Sequence, residues 1–236
     1  MARSSLLVEE VVSMTIPRQD TDAVRVLQRL EDSRPSVRLR AAMTIGTTPD
    51  PRFVDKLIER SAIEREFFVR DMLTWALTRH PVSVTLPGLL REVRSERPQA
   101  RSQALHTLSK IGDRQAWPAI TRTLLSDADD EVARSAWRAA VVLVPEGEES
   151  ALASVLATQL GRGERETRLS LSRALVALGE VIVPALRSAT MAPDPRTRAH
   201  ALATQRLLRD PDAGFDFAIE EAKRVVALGG PGQEER

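Results

Sequence analysis

Cationic side chains recur in this 236-residue chain at two helical positions, and residues of this type could bind anions at either one. The first position is an arginine near the start of a repeated pattern: Arg38, Arg70, Arg101, Arg168 and Arg198. A guanidinium presents a rigid fork of donors that matches phosphate and carboxylate groups. These arginines could form a phosphate-binding row, or an internal ladder in which each binds a turn carboxylate or carbonyl. We favour the ladder, because repeat units must be locked to their neighbours.

The second position lies on a different face of the same helices. We take the residue before each ladder arginine as zero and advance by about 100° per residue. A sector between roughly 240° and 300° then holds Arg40, Arg79, Lys110, Arg138, Arg173 and Arg196, together with Trp75, His106 and His200. Glu131 and Glu166 fall in the same sector and dilute its charge.

This sector predicts a basic groove with an aromatic platform at Trp75. The predicted binding residues are Arg40, Trp75, Arg79, His106, Lys110, Arg138 and Arg173. The six repeated helices that carry the whole sector hold fourteen Lys or Arg and three Asp or Glu, although the whole chain has a net charge of only +1. The alternative is an ordinary solvated helix face, on which long cationic chains cover apolar stems.

Other chemistry finds little support in the sequence. Cysteine is absent, which excludes disulfides and thiolate catalysis, and His80, His106 and His200 show no metal-ligand spacing. No Ser-His-Asp group, phosphate-binding glycine loop or paired-carboxylate motif occurs. Asp71 and Trp75 stand four residues apart, a pairing that resembles HEAT-like alkylpurine DNA glycosylases in residue type but not in order. We therefore expect no cofactor, no metal and no catalytic residues.

The helices that position these side chains are predicted by a repeat of about 32 residues. Aligned positions are separated by 32, 31, 32, 35 and 30 residues, and they are Val37, Val69, Ala100, Val132, Thr167 and Thr197. Residues four, eight and eleven further on are mostly apolar, which places them on one face of a helix. The spacing predicts six such "second helices", at 37–48, 67–80, 98–111, 131–144, 166–178 and 196–209.

A first helix is expected before each second helix. The predicted segments are 23–30, 53–60, 84–93, 116–125, 151–160 and 181–187. Pro87, Pro118 and Pro184 occupy matching positions in three of them and predict a shared bend. We divide the chain into an N-terminal capping helix and linker at 1–19, six repeats at 20–211, and a C-terminal capping helix with a disordered tail at 212–236. Residues 16–20 are expected to be a break.

Two helices per unit, few aromatic residues and no tyrosine predict an all-α fold, an α-solenoid. The Val-Arg or Ala-Arg pair at each second-helix start, the Ala or Leu that follows it, and the first-helix prolines resemble the HEAT-repeat family in its short bacterial, phycobilisome-lyase-like form. The resemblance covers about 20–211 and implies a right-handed superhelix of helical hairpins with the second helices on the concave surface.

For function, the sequence favours a non-catalytic scaffold that binds a protein partner on its concave surface, because a solenoid offers an extended surface. The alternative is nucleic-acid binding through the basic stripe. A third hypothesis, a chromophore lyase subunit, is implied only by the resemblance. The sequence shows no signal peptide and no apolar run of the ~20 residues that a membrane span needs, so we expect a cytoplasmic protein with no membrane partner.

Overall fold

The computed structural model describes residues 18–228, and throughout that range the regular structure is helical, with no strand. The all-α fold expected from the sequence is confirmed. The α-helices are α1 Arg18–Arg29, α2 Pro35–Thr47, α3 Val54–Ser61, α4 Phe67–Thr78, α5 Val82–Glu92, α6 Pro98–Ile111, α7 Arg122–Leu125, α8 Asp130–Leu143, α9 Glu149–Ala157, α10 Arg165–Ala177, α11 Val183–Thr190, α12 Pro195–Arg209 and α13 Phe215–Ala227. The expected N-terminal capping helix, before residue 18, and the expected C-terminal tail, after residue 228, lie outside the described residues.

Prolines and aspartates set where the second helices start. Helices α2, α6 and α12 begin at Pro35, Pro98 and Pro195, where the missing N–H has no intrahelical partner to lose. Asp129 and Asp194 precede α8 and α12, and each carboxylate accepts hydrogen bonds from two backbone N–H groups of the first turn. Such N-caps stabilise a helix by about 1 kcal/mol.

The helices pair into hairpins that stack in two layers. The second helices are α2, α4, α6, α8, α10 and α12. Each packs against the helix before it, and each of the first five also packs against the second helix of the next hairpin. The hydrophobic core lies between these layers and includes Leu73, Leu108, Leu143 and Leu175, all essentially inaccessible to solvent. This arrangement is a helical solenoid, and it leaves one flank of every second helix outside the core.

The first helices depart from the expected pattern in two places. In the fourth hairpin a 3-10 segment, Arg114–Ala119, contains Pro118 and is followed by the four-residue α7. Pro184 stands at the start of α11, after another 3-10 segment, Gly179–Ile182, whereas Pro87 lies inside α5. The three aligned prolines therefore have different structural roles. Helix α1 begins at Arg18, so the break expected at 16–20 is wrong for residues 18–20.

Helix α13 does not extend the first-helix layer. Its buried residues Phe215, Ala218, Ile219 and Ala222 form an i, i+3, i+4, i+7 stripe. They pack in one cluster with the α12 residues Ala199, Ala203 and Leu207 and with Leu169 and Val176 of α10. The C-terminal helix therefore folds over the second helices at the end of the stack.

This packing corrects the expectation for His200, which the helical sector placed on the open face. His200 is 0% exposed, and its ring makes an edge contact with Phe215 of α13. Its Nδ1 accepts a hydrogen bond from the Gly161 N–H at 3.0 Å, and its Nε2 lies 3.0 Å from both the Arg168 carbonyl and the Ser172 hydroxyl. His200 thus joins two repeats from the inside.

Acid should destabilise the protein through His200. Burial lowers the pKa of this imidazole from 6.5 to about 4. Between pH 6.5 and about 4, His200 is therefore protonated in the unfolded chain but neutral in the folded chain. Stability should be complete above pH 6.5 and should fall by about 3 kcal/mol as the pH drops toward 4. Denaturant unfolding of wild type and His200→Gln between pH 7 and 4.5 measures this slope, which should be shallower in the variant. An equal slope in both proteins would contradict the assignment.

One finding bears on membranes. Across residues 18–228 no single helix is long and apolar enough to cross a bilayer, while one pair bent by 119°, Arg165–Ala177 with Gly179–Thr190, meets the length and composition criteria jointly.

Candidate binding site on the second-helix face

The ladder arginines occupy the fourth residue of their helices and point back at the preceding turn. In four of the five, Nη1 donates to the carbonyls five and six residues earlier; for Arg38 these are Ser33 at 2.9 Å and Asp32 at 2.8 Å. The other three are Arg70, Arg101 and Arg198. One guanidinium thus satisfies two turn carbonyls in each of these repeats.

Two of these arginines also reach the next repeat. Arg38 donates from Nε and Nη2 to the Glu64 carboxylate, both at 2.7 Å. Arg101 donates in the same way to Asp127, at 3.1 and 3.2 Å. Arg168 differs, because its Nε is buried and has no hydrogen-bond partner among the described residues. In that region Arg162 forms the link to the preceding repeat by pairing with Asp130.

Arg101→Ala should lower the free energy of unfolding by roughly 1–3 kcal/mol, because two turn carbonyls and the Asp127 carboxylate lose their donor. Arg97→Ala is the matched control, immediately before the same helix; Arg97 is exposed and its side chain meets Glu92 only at 3.8 Å. Thermal unfolding of both variants gives the comparison. Unchanged stability of Arg101→Ala together with lost partner binding would show that this arginine serves binding instead of the ladder.

The predicted stripe residues lie on the flank of the second helices that the core leaves open. Arg40, Trp75, Arg79, Lys110, Arg138 and Arg173 are exposed, and His106 is half-buried. On α12 the stripe is interrupted, because α13 covers His200, Ala203 and Leu207, although Arg196 at the start of that helix is exposed. The open surface therefore runs from α2 to α10, and we call it the second-helix face.

Three of the predicted residues converge on one open pocket of about 350 Å³ between α6, α8 and α10. They are Lys110, Arg138 and Arg173, and Arg134 joins them. We call this pocket the basic groove. Its apolar lining comes from Val141 and Val142 of α8 and from Leu169, Ala174 and Ala177 of α10. Arg40, Trp75, Arg79 and His106 do not line it.

Sequence reasoning missed Arg134 and the apolar lining. Arg134 lies one residue beyond the ladder position, so its helical angle fell outside the stripe sector. The apolar side chains were not recognised because a helix projection does not show which neighbouring helix leaves them open. The clearest sequence signal for the apolar lining is Val142. It stands four residues after Arg138, about one helical turn, and it is 47% exposed in the structure.

The positive charge of the basic groove is poorly compensated. Glu166 is the one carboxylate in its lining, and its side chain pairs with Arg165. Glu131 pairs with Arg134 at 2.7 Å. Among residues 18–228, no carboxylate forms an ion pair with Lys110, Arg138 or Arg173. The two glutamates that dilute the stripe in sequence are thus engaged by other arginines.

The excess of positive charge shifts the pKa values of nearby groups. Burial, with the nearby cations Arg138 and Lys110, lowers the pKa of His106 from 6.5 to about 4, so His106 is neutral at pH 7. Partial desolvation of its guanidinium, although the side chain as a whole is exposed, and the adjacent Arg134 also lower the pKa of Arg138, which remains charged. A bound anion would relieve the repulsion among these groups.

Trp75 lies on α4, outside the lining of the basic groove. A Cβ on Gly46 would stand 2.2 Å from the Trp75 ring, so the indole packs directly against the α2 backbone. Phe67 and Phe68, at the start of α4, are also exposed and meet edge to face at 5.8 Å. The structure does not bring Trp75 to the basic groove.

The three histidines occupy separate places. His80 is buried, with Nδ1 2.8 Å from the Ala76 carbonyl and Nε2 3.1 Å from the Asp50 carbonyl. His106 stands near the groove cations and His200 lies under α13. No cluster of three or more His, Asp or Glu side chains suited to a metal ion occurs within the described residues.

Comparison with known proteins gives matches among solved structures only. No family model matches the sequence, and no curated protein does. The solved complex of CpcE and CpcF of phycocyanin lyase from Nostoc sp. PCC7120 is 16% identical, with a TM-score of 0.47, over 94% of this chain and 91% of that chain. The assignment therefore stays at the level of an all-helical repeat fold, which the described helices themselves establish.

Proposed function

We propose that this protein is a non-catalytic binding protein whose partner is another protein, and that the partner contacts the second-helix face at the basic groove. One observation carries the proposal: Lys110, Arg138 and Arg173 surround an open pocket without a carboxylate partner. Cations such as Arg38, Arg101 and Arg165 have carboxylate partners, and exposed cations without an ion pair, such as Arg94 and Arg187, do not line this pocket. Charges left unpaired around an apolar pocket fit a surface that is completed by a ligand.

The composition of the groove favours a protein over a nucleic acid. Five apolar side chains share the pocket with the cations, and exposed apolar residues occur along the same face, including Met43, Trp75 and Val142. Protein interfaces combine an apolar centre with a polar rim. A phosphate backbone is bound chiefly through cations and hydrogen-bond donors. A phosphate backbone would offer few apolar groups for the aliphatic lining of the groove to contact.

Nucleic-acid binding stays the second candidate, because the second helices carry a net +11 while the whole chain carries +1. A role as a chromophore lyase subunit is the third hypothesis. Retention of a tetrapyrrole by the purified protein would favour it.

An affinity pull-down with nuclease-treated and untreated extract tests the proposal. The tagged wild-type chain should capture the same protein from both extracts, since direct protein contact does not depend on nucleic acid. Capture that disappears after nuclease treatment, with gel-shift binding to DNA or RNA at low salt, would favour the nucleic-acid hypothesis. Capture of no protein from either extract would contradict the proposed function.

A further inference from the structure

The C-terminal helix shows how a helix can bind the exposed flank of second helices in this fold. The apolar stripe of α13 packs on Ala203 and Leu207 of α12 and on Leu169 of α10. Carboxylates beside the stripe pair with cations of the second helices. Asp216 receives two hydrogen bonds from Arg165, at 2.7 and 2.6 Å, and Glu221 pairs with Arg206.

The basic groove offers the same combination one step further along the stack. Leu169 belongs to the α13 cluster and also lines the groove, so the two surfaces are continuous. A second pocket of about 370 Å³, beside the start of α13, shares Leu169, Arg173 and Ala177 with the groove. The groove therefore presents an apolar floor with cations on its rim, as α10 and α12 present to α13.

The backbone of the face also restricts the form of the ligand. The helices that form the groove have their N–H and C=O groups engaged in intrahelical hydrogen bonds, so no strand edge is available there for an extended peptide to join. An amphipathic helix needs no backbone pairing, because its side chains enter a hydrophobic groove directly.

From these observations we infer that the basic groove binds an acidic amphipathic helix of the partner protein, with its apolar stripe on Val141, Val142 and Ala177 and its carboxylates on Lys110, Arg138 and Arg173. This inference rests on the proposed function and names the chemistry of the partner. The apolar floor and the uncompensated rim charges each match one side of such a helix, and α13 shows both contacts within this chain.

The absence of cysteine allows a direct test. Val142→Cys places a thiol on the groove floor, and Met191→Cys places one at an 82% exposed site between α11 and α12 as the control. The probe is a synthetic peptide of about 18 residues, since shorter isolated helices are marginal. It carries leucines at i, i+3, i+4 and i+7 with glutamates beside them.

Saturating peptide should slow maleimide alkylation of Val142→Cys by at least about tenfold, because a bound helix buries the thiol, and should leave Met191→Cys unchanged. A peptide with the same composition but a scrambled leucine pattern should not protect, and neither should one with lysine in place of glutamate. Equal protection by either control peptide would overturn the inference. Protection by duplex DNA but not by the acidic peptide would also overturn it.

A second variant, Glu166→Gln, should increase the affinity of the groove for the acidic peptide. Removing the one carboxylate of the lining should tighten peptide binding a few-fold, whereas simple damage to the groove would weaken it. An unchanged or weaker affinity would contradict the charge argument. If a protein partner is captured through the groove but the acidic peptide does not bind, this inference fails and the proposed function stands. If no protein is captured, the proposed function itself fails.

Discussion

Glu64→Gln should lower the free energy of unfolding by about 3–5 kcal/mol, because it leaves a buried arginine without its carboxylate. Glu64 is 0% exposed and Arg38 is 6% exposed. The carboxylate accepts two hydrogen bonds from Arg38 at 2.7 Å, one from Arg60 at 3.0 Å, and one from the Glu66 N–H at 2.9 Å. A neutral amide keeps one acceptor and turns an N–H group toward a guanidinium.

Glu59→Gln is the matched control for this change. Glu59 lies on α3, five residues before Glu64, is exposed, and pairs only with Lys56 at 3.2 Å, so its loss should cost less than about 1 kcal/mol. Thermal unfolding should place Glu64→Gln roughly 6–20 °C below wild type. Equal melting temperatures for the two variants would contradict the structural importance of this pair.

The lowered pKa of Glu64 also predicts how the free energy of unfolding depends on pH. Burial alone would raise its pKa, but hydrogen bonds from Arg38, Glu66 N–H and Arg60 bring it from 4.5 down to about 2. The pair should therefore stabilise the fold above pH 4.5 and lose that contribution as the pH falls toward 2. Glu64→Gln should lack this loss.

The second helices are the part of the fold that the sequence predicts best. Their observed bounds agree with the expected ones to within about two residues, because proline starts and apolar spacing are both local signals. The fourth first helix was poorly predicted, since the pattern through Pro118 suits a helix while the chain forms a 3-10 segment and a short α7. A helical projection cannot distinguish a continuous α-helix from a 3-10 segment followed by a short α-helix.

The sequence predicted which helix face carries the candidate site, but not which residues of that face lie together. Helical angles place Lys110, Arg138 and Arg173 on one face, and the structure puts them around one pocket. The same angles failed for His200, because the fold of α13 over α12 depends on contacts far apart in sequence. Arg40, Arg79 and Trp75 share the face but lie toward its other end, a separation that only the stacking of α2 to α10 determines.

Reversing the groove charge should have the largest effect on binding. Lys110→Glu, Arg138→Glu and Arg173→Glu together should weaken partner binding by at least about tenfold, because three attractive contacts become repulsive. All three side chains are exposed and unpaired with carboxylates, so the triple variant should keep the wild-type fold and melting temperature. Binding by wild type should also weaken with added salt, while the variant should respond little.

The control triple variant is Arg94→Glu, Arg114→Glu and Arg187→Glu. It makes the same charge change at exposed residues outside the basic groove. Its affinity for the partner should match that of wild type, measured by fluorescence anisotropy at several salt concentrations. Equal losses in the two triple variants would mean that net charge, and not the groove, governs binding.

The most direct test of the second-helix face is the hydrogen-exchange footprint of the captured partner on this chain. We predict that binding slows exchange in α6, α8 and α10, at Pro98–Ile111, Asp130–Leu143 and Arg165–Ala177, and leaves α3, α5, α9 and α11 unchanged. Protection confined to those first helices would place the partner on the opposite layer and contradict the account.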